Sequence, residues 1–141
     1  SGGTYKTLTS VTSTSYTHKD GEPGVCYYYK IKAVNEAGVE SGDSNVKYRT
    51  CDLATPEISI ALNSKGKPRI TWDVIEGAVG YEVHRSTSKD SGFSRCYTTT
   101  KTSYTNTGAE AGTTYYYKVK AIHSNANANS AYSYIDSITS N

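Results

Sequence analysis

Methionine is missing from this chain, and phenylalanine and tryptophan occur once each. Proline and cysteine occur three times each, too few for a proline-rich linker or a disulfide-dense scaffold. Uninterrupted apolar runs last only a few residues, far below the ~18–20 a membrane helix needs, which excludes insertion by helices. No positively charged start followed by an apolar stretch marks a signal peptide, so the chain reads as a mature piece. Neither sign of charge dominates: 15 basic and 13 acidic side chains leave a net charge of +2 and are interspersed. That pattern supplies no basic stripe for nucleic acid and no charged tail. What is plentiful is tyrosine, at 14 of 141 residues, together with serine and threonine. Rings with a polar tip and β-branched hydroxyls favour half-buried strands over helices.

A repeat at an offset of 88 organises the chain. Thr14-Ser-Tyr-Thr17 lies over Thr102-Ser-Tyr-Thr105, and Tyr27-Tyr-Tyr-Lys-Ile-Lys-Ala-Val34 over Tyr115-Tyr-Tyr-Lys-Val-Lys-Ala-Ile122. Of the 21 positions from 14 to 34, twelve are identical in the second copy. Tyr5 lies over Phe93, and a one-residue gap between Asn35 and Ser44 brings Asp43-Ser44 onto Tyr132-Ser133. Upstream of Phe93 the second copy has further segments: Pro56-Glu-Ile-Ser-Ile-Ala-Leu62, Pro68-Arg-Ile-Thr-Trp72 and Gly80-Tyr-Glu-Val-His-Arg85. Upstream of Tyr5 the first copy has only Ser1-Gly-Gly-Thr4. The chain therefore divides into the back half of one unit (1–50), a short linker (51–56) and a whole unit (57–141).

Within a unit the apolar period is two. Ile58, Ile60 and Leu62 alternate with polar neighbours, as do Ile70 and Trp72, Tyr81 and Val83, and Tyr115, Tyr117, Val119 and Ala121. Such segments, punctuated by turns at 63–66, 76–77, 88–92 and 110–112, predict an all-β sandwich of antiparallel strands. No stretch of ten residues keeps a helical period.

Ile70-Thr-Trp72, Gly80-Tyr-Glu-Val-His-Arg-Ser86 and Ala111-Gly-Thr-Thr-Tyr-Tyr-Tyr-Lys-Val-Lys-Ala121 resemble the fibronectin type III module, an immunoglobulin-like β-sandwich. Pro23-Gly-Val-Cys-Tyr-Tyr-Tyr-Lys-Ile-Lys-Ala-Val-Asn-Glu-Ala-Gly38 resembles that family's F strand and the turn after it. The likeness covers essentially the whole chain and is closest in style to tandem modules of bacterial secreted and surface proteins. It implies strands A, B, C, C′, E, F and G in the second copy and C′, E, F and G in the first. It places Trp72 in the core against Tyr81 and Val83, and Tyr115 and Tyr27 at the tyrosine corner. Where the family has a bulky aliphatic before that corner, this chain has Ala109 and Gly21, so the core is expected to thin there.

An F strand starting near Cys26 and a G strand ending near Cys51 would bring these cysteines almost opposite each other. They are a candidate disulfide, worth ~3 kcal/mol if unstrained, or else two half-buried free thiols. Cys96 is the odd thiol, a strand residue or a cross-link between chains. His18, His84 and His123 share no metal-ligand spacing; His84 and Cys96 on neighbouring strands would supply two ligands, where a structural zinc site needs four. No metal or cofactor is expected. Acids such as Asp73, Glu76, Asp90 and Glu110 fall in or beside turns. Neither a Gly-x-Ser-x-Gly elbow nor a glycine-rich phosphate loop occurs, so no enzyme is expected.

Alternation turns Tyr28 and Tyr116 outward, where, with Tyr48 and Tyr134, they form either an aromatic ligand platform or ordinary cross-strand pairs. Arg-Gly-Asp is absent, which removes the integrin association that the resemblance would otherwise suggest. The leading expectation is a non-catalytic spacer in a larger bacterial secreted or cell-surface protein, orienting catalytic or adhesive neighbours in the same polypeptide. The alternative is an adhesion module for carbohydrate or a host surface protein, using exposed Tyr or the loops at 63–66, 75–79 and 87–92. Without strands A, B and C, residues 1–50 would leave Tyr29, Ile31 and Ala33 uncovered. They are expected to be completed by self-association with a second copy or by an upstream fragment.

Overall fold

The computed structural model describes residues 3–141; Ser1 and Gly2, the first two residues of the expected half-unit, lie outside it. Among the described residues nine strands follow one another: β1 (Cys26–Tyr29), β2 (Lys47–Thr50), β3 (Ile58–Leu62), β4 (Pro68–Trp72), β5 (Gly80–Ser86), β6 (Ser94–Thr99), β7 (Ser103–Thr105), β8 (Thr114–Ile122) and β9 (Asp136–Thr139). The second copy is an all-β, immunoglobulin-like sandwich. One antiparallel sheet has the order β3-β4-β7 and the other β6-β5-β8-β9. A single 3-10 turn at Ala126–Ala128, which the periodicity does not predict, interrupts the loop between β8 and β9.

Alternation accounts for the packing. Along β8 every second residue is buried, so Tyr115, Tyr117, Val119 and Ala121 face inward. Ile70 and Trp72 of β4 meet them from the opposite sheet, with Tyr81 and Val83 of β5 beside them. The Trp72 and Tyr81 rings stand edge to face with centroids 5.3 Å apart, as the resemblance implies. Tyr81 also places its polar tip, its hydroxyl accepting from the Ile75 N–H at 2.9 Å. The Trp72 indole N–H is buried without an acceptor, a cost the surrounding apolar burial must offset.

A register shift between Val83 and His84 leaves Cys96 as an extra residue on β6. Cys96 turns into the sandwich, its thiol donating to the Val83 carbonyl at 3.4 Å. Tyr97 meets Tyr104 of β7 with ring centroids 4.9 Å apart, which closes that side of the sandwich. Ala109 is buried beside the three-residue β7, and the Lys67 ammonium donates to its carbonyl at 2.6 Å.

The first copy is less regular. The expected C′ and E strands do not form: among the described residues no strand precedes Cys26. Only β1 and β2 pair, joined beyond their ends by scattered bonds such as Ser44 N–H to the Ile31 carbonyl at 2.9 Å. A three-residue strand like β7 persists because β4 pairs with it, and among the described residues of the first copy no strand takes that part.

The tyrosine corner nevertheless forms twice. The Tyr115 hydroxyl accepts from Glu110 N–H and the Tyr27 hydroxyl from Glu22 N–H, each at 3.1 Å. Gly112 and Gly24 occupy the left-handed region at φ 77° and 80° in the two equivalent turns, where a side chain would be strained. Serines repeat as well. Ser133 and Ser130 hydroxyls accept from Val119 and Ala121 N–H, and Ser44 and Ser41 do the same for Ile31 and Ala33.

Candidate functional site

Cys26 lies opposite Thr50, not opposite Cys51. Cys51 instead donates its N–H to the Val25 carbonyl at 3.0 Å, one position along the ladder. A one-residue offset puts two side chains on opposite faces of a strand pair, so the candidate disulfide does not form and the alternative holds, two free thiols, with Cys26 exposed and Cys51 half-buried. Cys26 shares the outer face with Tyr28, whose phenol it pushes above its usual value. Cys51 looks inward, its side chain against Gly21.

The tyrosines expected to form platforms divide between the copies. Tyr28 and Tyr48 are paired directly across β1 and β2, rings 5.6 Å apart and tilted by 38°, and are 48% and 71% exposed. Tyr116 faces Ser137 instead, and Tyr134 is 94% exposed, so these two do not build a surface together. The cause is again register. Tyr117 pairs with Asp136 but Lys120 bridges to Tyr132, so one extra residue between them ejects Tyr134.

The outer face of β5, β6 and β8 carries a charge network around Glu82. Its carboxylate meets the Arg95 guanidinium at 2.7 Å, His84 at 3.3 Å and the Lys120 ammonium at 3.5 Å. Burial alone would raise the Glu82 pKa, but hydrogen bonds from Arg95 and His84 and the nearby charges hold it below its ordinary value. Tyr132 stacks edge-on against His84 at 4.9 Å, and the Lys118 ammonium sits between the Phe93 and Tyr132 rings at 4.6 and 4.2 Å. The carboxylate is thus matched by three basic side chains, which suits a solvated sheet face. His84 and Cys96 lie on opposite faces of the sheet, so they cannot share an ion. Among the described residues no group of three metal-ligating side chains occurs.

A hydrogen-bonded set fills the inner corner of each copy. In the second, Arg85 donates to the Asn106 carbonyl oxygen at 2.9 Å, and Asn106 Nδ2 donates to the Tyr117 hydroxyl at 2.9 Å. Burial pushes the Tyr117 and Tyr104 phenols up to about 12. In the first, His18 stands where Asn106 does, its Nδ1 2.9 Å from the Tyr29 hydroxyl and its ring edge-on to Tyr27 at 5.0 Å.

Sequence reasoning missed the contact between the copies. Leu53, one apolar residue in the expected linker, is buried in the sandwich core, and its N–H donates to the Ala128 carbonyl at 2.8 Å. Pro56, three residues further on, is fully buried. The Pro23-Gly24 turn of the first copy seats against Gly77 and the His123 ring, so the loop at 75–79, expected to be free for ligands, is partly occupied. A Cβ on Gly24 would be driven into that ring. Asn125 Nδ2 adds a 3.4 Å bond to the Gly24 carbonyl. A lone leucine amid polar residues was the one sequence signal; the approach of Gly24 to His123 left none.

No family model and no curated protein matches the chain. Solved structures do. An Fn3-like protein from Clostridium thermocellum is 31% identical, over 62% of this chain and 90% of that one, with a TM-score of 0.53. The sixth fibronectin type III domain of human fibronectin type III domain containing protein 3 is 19% identical, over 71% and 90%, at a TM-score of 0.53. Titin kinase with its flanking domains is 16% identical, over 64% of this chain and 18% of that one, at a TM-score of 0.54. The likeness there is to a flanking domain and not to the kinase. The second and third likenesses show the fold alone. Together with the tyrosine corners, the two-sheet order and the Trp72 core, the identity and coverage of the clostridial protein place this chain in the fibronectin type III family.

Proposed function

We propose that the chain is a non-catalytic spacer in a larger bacterial secreted or cell-surface protein, where it fixes the orientation of catalytic or adhesive neighbours. The joint between the copies carries this reading. A flexible tether needs no buried leucine, no backbone bond into the next module and no turn seated on a ring. Here Leu53, the Ala128 carbonyl and the Gly24–His123 contact supply all three. Modules of this family commonly serve structural or spacing roles, and among the described residues no helix is long and apolar enough to cross a membrane. The clostridial relative supports a bacterial source.

The test is backbone 15N relaxation on the intact chain. Residues 22–50 and 57–141 are expected to share one tumbling time, and Gly24→Ala is expected to separate them. Independent tumbling of the unaltered chain would overturn the spacer reading.

A second reading rests on the exposed Tyr28–Tyr48 pair, which offers two neighbouring rings to a sugar face or a host surface protein. Saturable glycan or matrix-protein binding that is lost in Tyr28→Ala would support adhesion, and its absence across a broad panel would remove it.

A further inference from the structure

Both contacts that hold the copies together end on one short loop, 123–129, and that loop begins with a histidine. Gly24 seats on the imidazole of His123, and Leu53 N–H reaches the Ala128 carbonyl at 2.8 Å. Asn125 links the two. Its backbone N–H donates to His123 Nδ1 at 2.9 Å, and its Nδ2 donates to the Gly24 carbonyl at 3.4 Å. Its Oδ1 accepts from Asn127 N–H at 3.1 Å and so caps the 3-10 turn that carries Ala128. The far end of the loop is tied back to the histidine, whose backbone N–H donates to Asn129 Oδ1 at 2.8 Å.

These bonds admit one charge state of the ring. An Nδ1 that accepts from Asn125 N–H holds no proton, so the imidazole is neutral and carries its hydrogen on Nε2. The ring presents its Nδ1–Cε1–Nε2 edge to Gly24. A Cβ built on that glycine would lie nearest Cε1, with Nε2 and Nδ1 at 2.9 and 3.1 Å. The same edge carries the charge of an imidazolium. A second proton would set two N–H donors against each other at Nδ1. It would also press the cation on a Cα that offers no acceptor.

We propose that the joint is a pH-sensitive latch, closed by neutral His123 and released when its imidazole takes up a second proton. This rests on the rigid joint of the spacer reading and adds a condition under which that joint lets go. Imidazole is the side chain whose charge ordinarily changes between about pH 8 and about pH 5. The other titratable groups on the elements packed about the ring are Glu22 beside the Gly24 turn, Cys51 and Asp52 after β2, and Glu76 beside Gly77. The loop itself adds none besides His123. The three carboxylates belong to exposed residues, and Asp52 is engaged by Arg49 at 3.1 Å. Among the described residues none of them makes an ion pair with His123, whereas Glu82 does with His84. An imidazolium at 123 therefore finds no fixed acceptor to compensate for the bond it loses.

The experiment follows the intact chain by NMR from about pH 7.5 to about pH 5. The His123 ring and the Gly24, Gly77 and Leu53 amides are expected to shift together, with one midpoint. Across it the protection factor of Leu53 N–H should fall about tenfold, the loss of roughly one hydrogen bond. Residues 22–50 should then stop sharing the tumbling time of 57–141. His123→Asn cannot take up a proton but keeps an acceptor for Asn125 N–H, as Asn63 Oδ1 accepts from Lys65 N–H. In that variant, its sandwich shown folded by Trp72 fluorescence, the pH response at Leu53 should vanish, and His84→Gln should leave it in place. A response that persists in His123→Asn, or whose midpoint departs from that of the His123 ring, belongs to another group such as His18 and would overturn the proposal. So would tighter coupling at the acid end, since a carboxylate would then have closed on the imidazolium. One tumbling time throughout, with unchanged protection, overturns the latch and leaves the spacer reading standing. Independent tumbling already at the neutral end overturns both.

Discussion

Trp72 is the only tryptophan in the chain and lies in the sandwich core, so its fluorescence reports unfolding of the second copy alone. Consider Val119→Ala beside Ile31→Ala, two truncations at equivalent positions of the repeat. Val119 is completely buried among β4, β5 and β8. Removing two methyl groups forfeits about 1.6 kcal/mol of transfer free energy at about 0.8 per buried carbon. The cavity left behind adds to this, for a total of about 2–3 kcal/mol. With a urea m-value of about 1–1.5 kcal/mol per molar for so small a domain, the Trp72 midpoint should fall by about 2 M. Ile31 is three-quarters exposed, and substitutions at such sites usually stay within about 0.5 kcal/mol. Ile31→Ala should leave the Trp72 transition unmoved and shift any separate transition of the first copy only slightly. Equal losses at the two positions would mean that something already covers Ile31. A loss below about 0.5 kcal/mol at Val119 would refute the assignment of β8 to the core.

Tyr115→Phe removes the acceptor for Glu110 N–H and should cost about 1 kcal/mol in the Trp72 transition, whereas Tyr27→Phe should not move it; calorimetry or urea titration decides. Glu82 has a folded pKa held below its ordinary 4.5. Its contribution is therefore complete above that value and lost as pH falls through the lower folded one, and Glu82→Gln should flatten the acid limb of stability against pH. Burial raises the Cys96 thiol pKa, partly offset by Tyr104, so a thiol reagent at neutral pH should label Cys26 and Cys51 before Cys96. Intact mass should show all three thiols reduced; a loss of two hydrogens in the monomer would refute the register that separates Cys26 from Cys51.

What could be read from the sequence was whatever depends on a period of two within one strand. Trp72, Tyr81, Val83 and the inward residues of β8 follow from alternation, and the repeat located both tyrosine corners. What could not be read depends on where one strand lies against another. A single residue of register decides whether Cys51 faces Cys26, whether Cys96 joins the core, and whether Tyr134 stands beside Tyr116. In each case the pairing carries an offset or an extra residue that no pattern within the strand announces. The seating of Gly24 on His123 is harder still, because it joins turns about a hundred positions apart and rests on the absence of a side chain.

The first copy also shows what a corner of this kind does without a core above it. Its hairpin keeps the Tyr27 corner, the Ser41 and Ser44 bonds and the His18–Tyr29 pair. All of these are hydrogen bonds within residues 18–44, and none requires the opposing sheet. A two-stranded hairpin is marginal by itself, so these bonds hold what burial holds in the second copy. They also shape the joint. By fixing Glu22 N–H, the Tyr27 hydroxyl sets the turn through Pro23 and Gly24, and that turn is what meets Gly77 and His123. The second contact, Leu53, comes three residues after β2, and Cys51, the residue that follows β2, is tied back to the same turn by Gly24 N–H to its carbonyl at 2.9 Å. The path from β1 to the second copy thus runs through one phenol and one glycine.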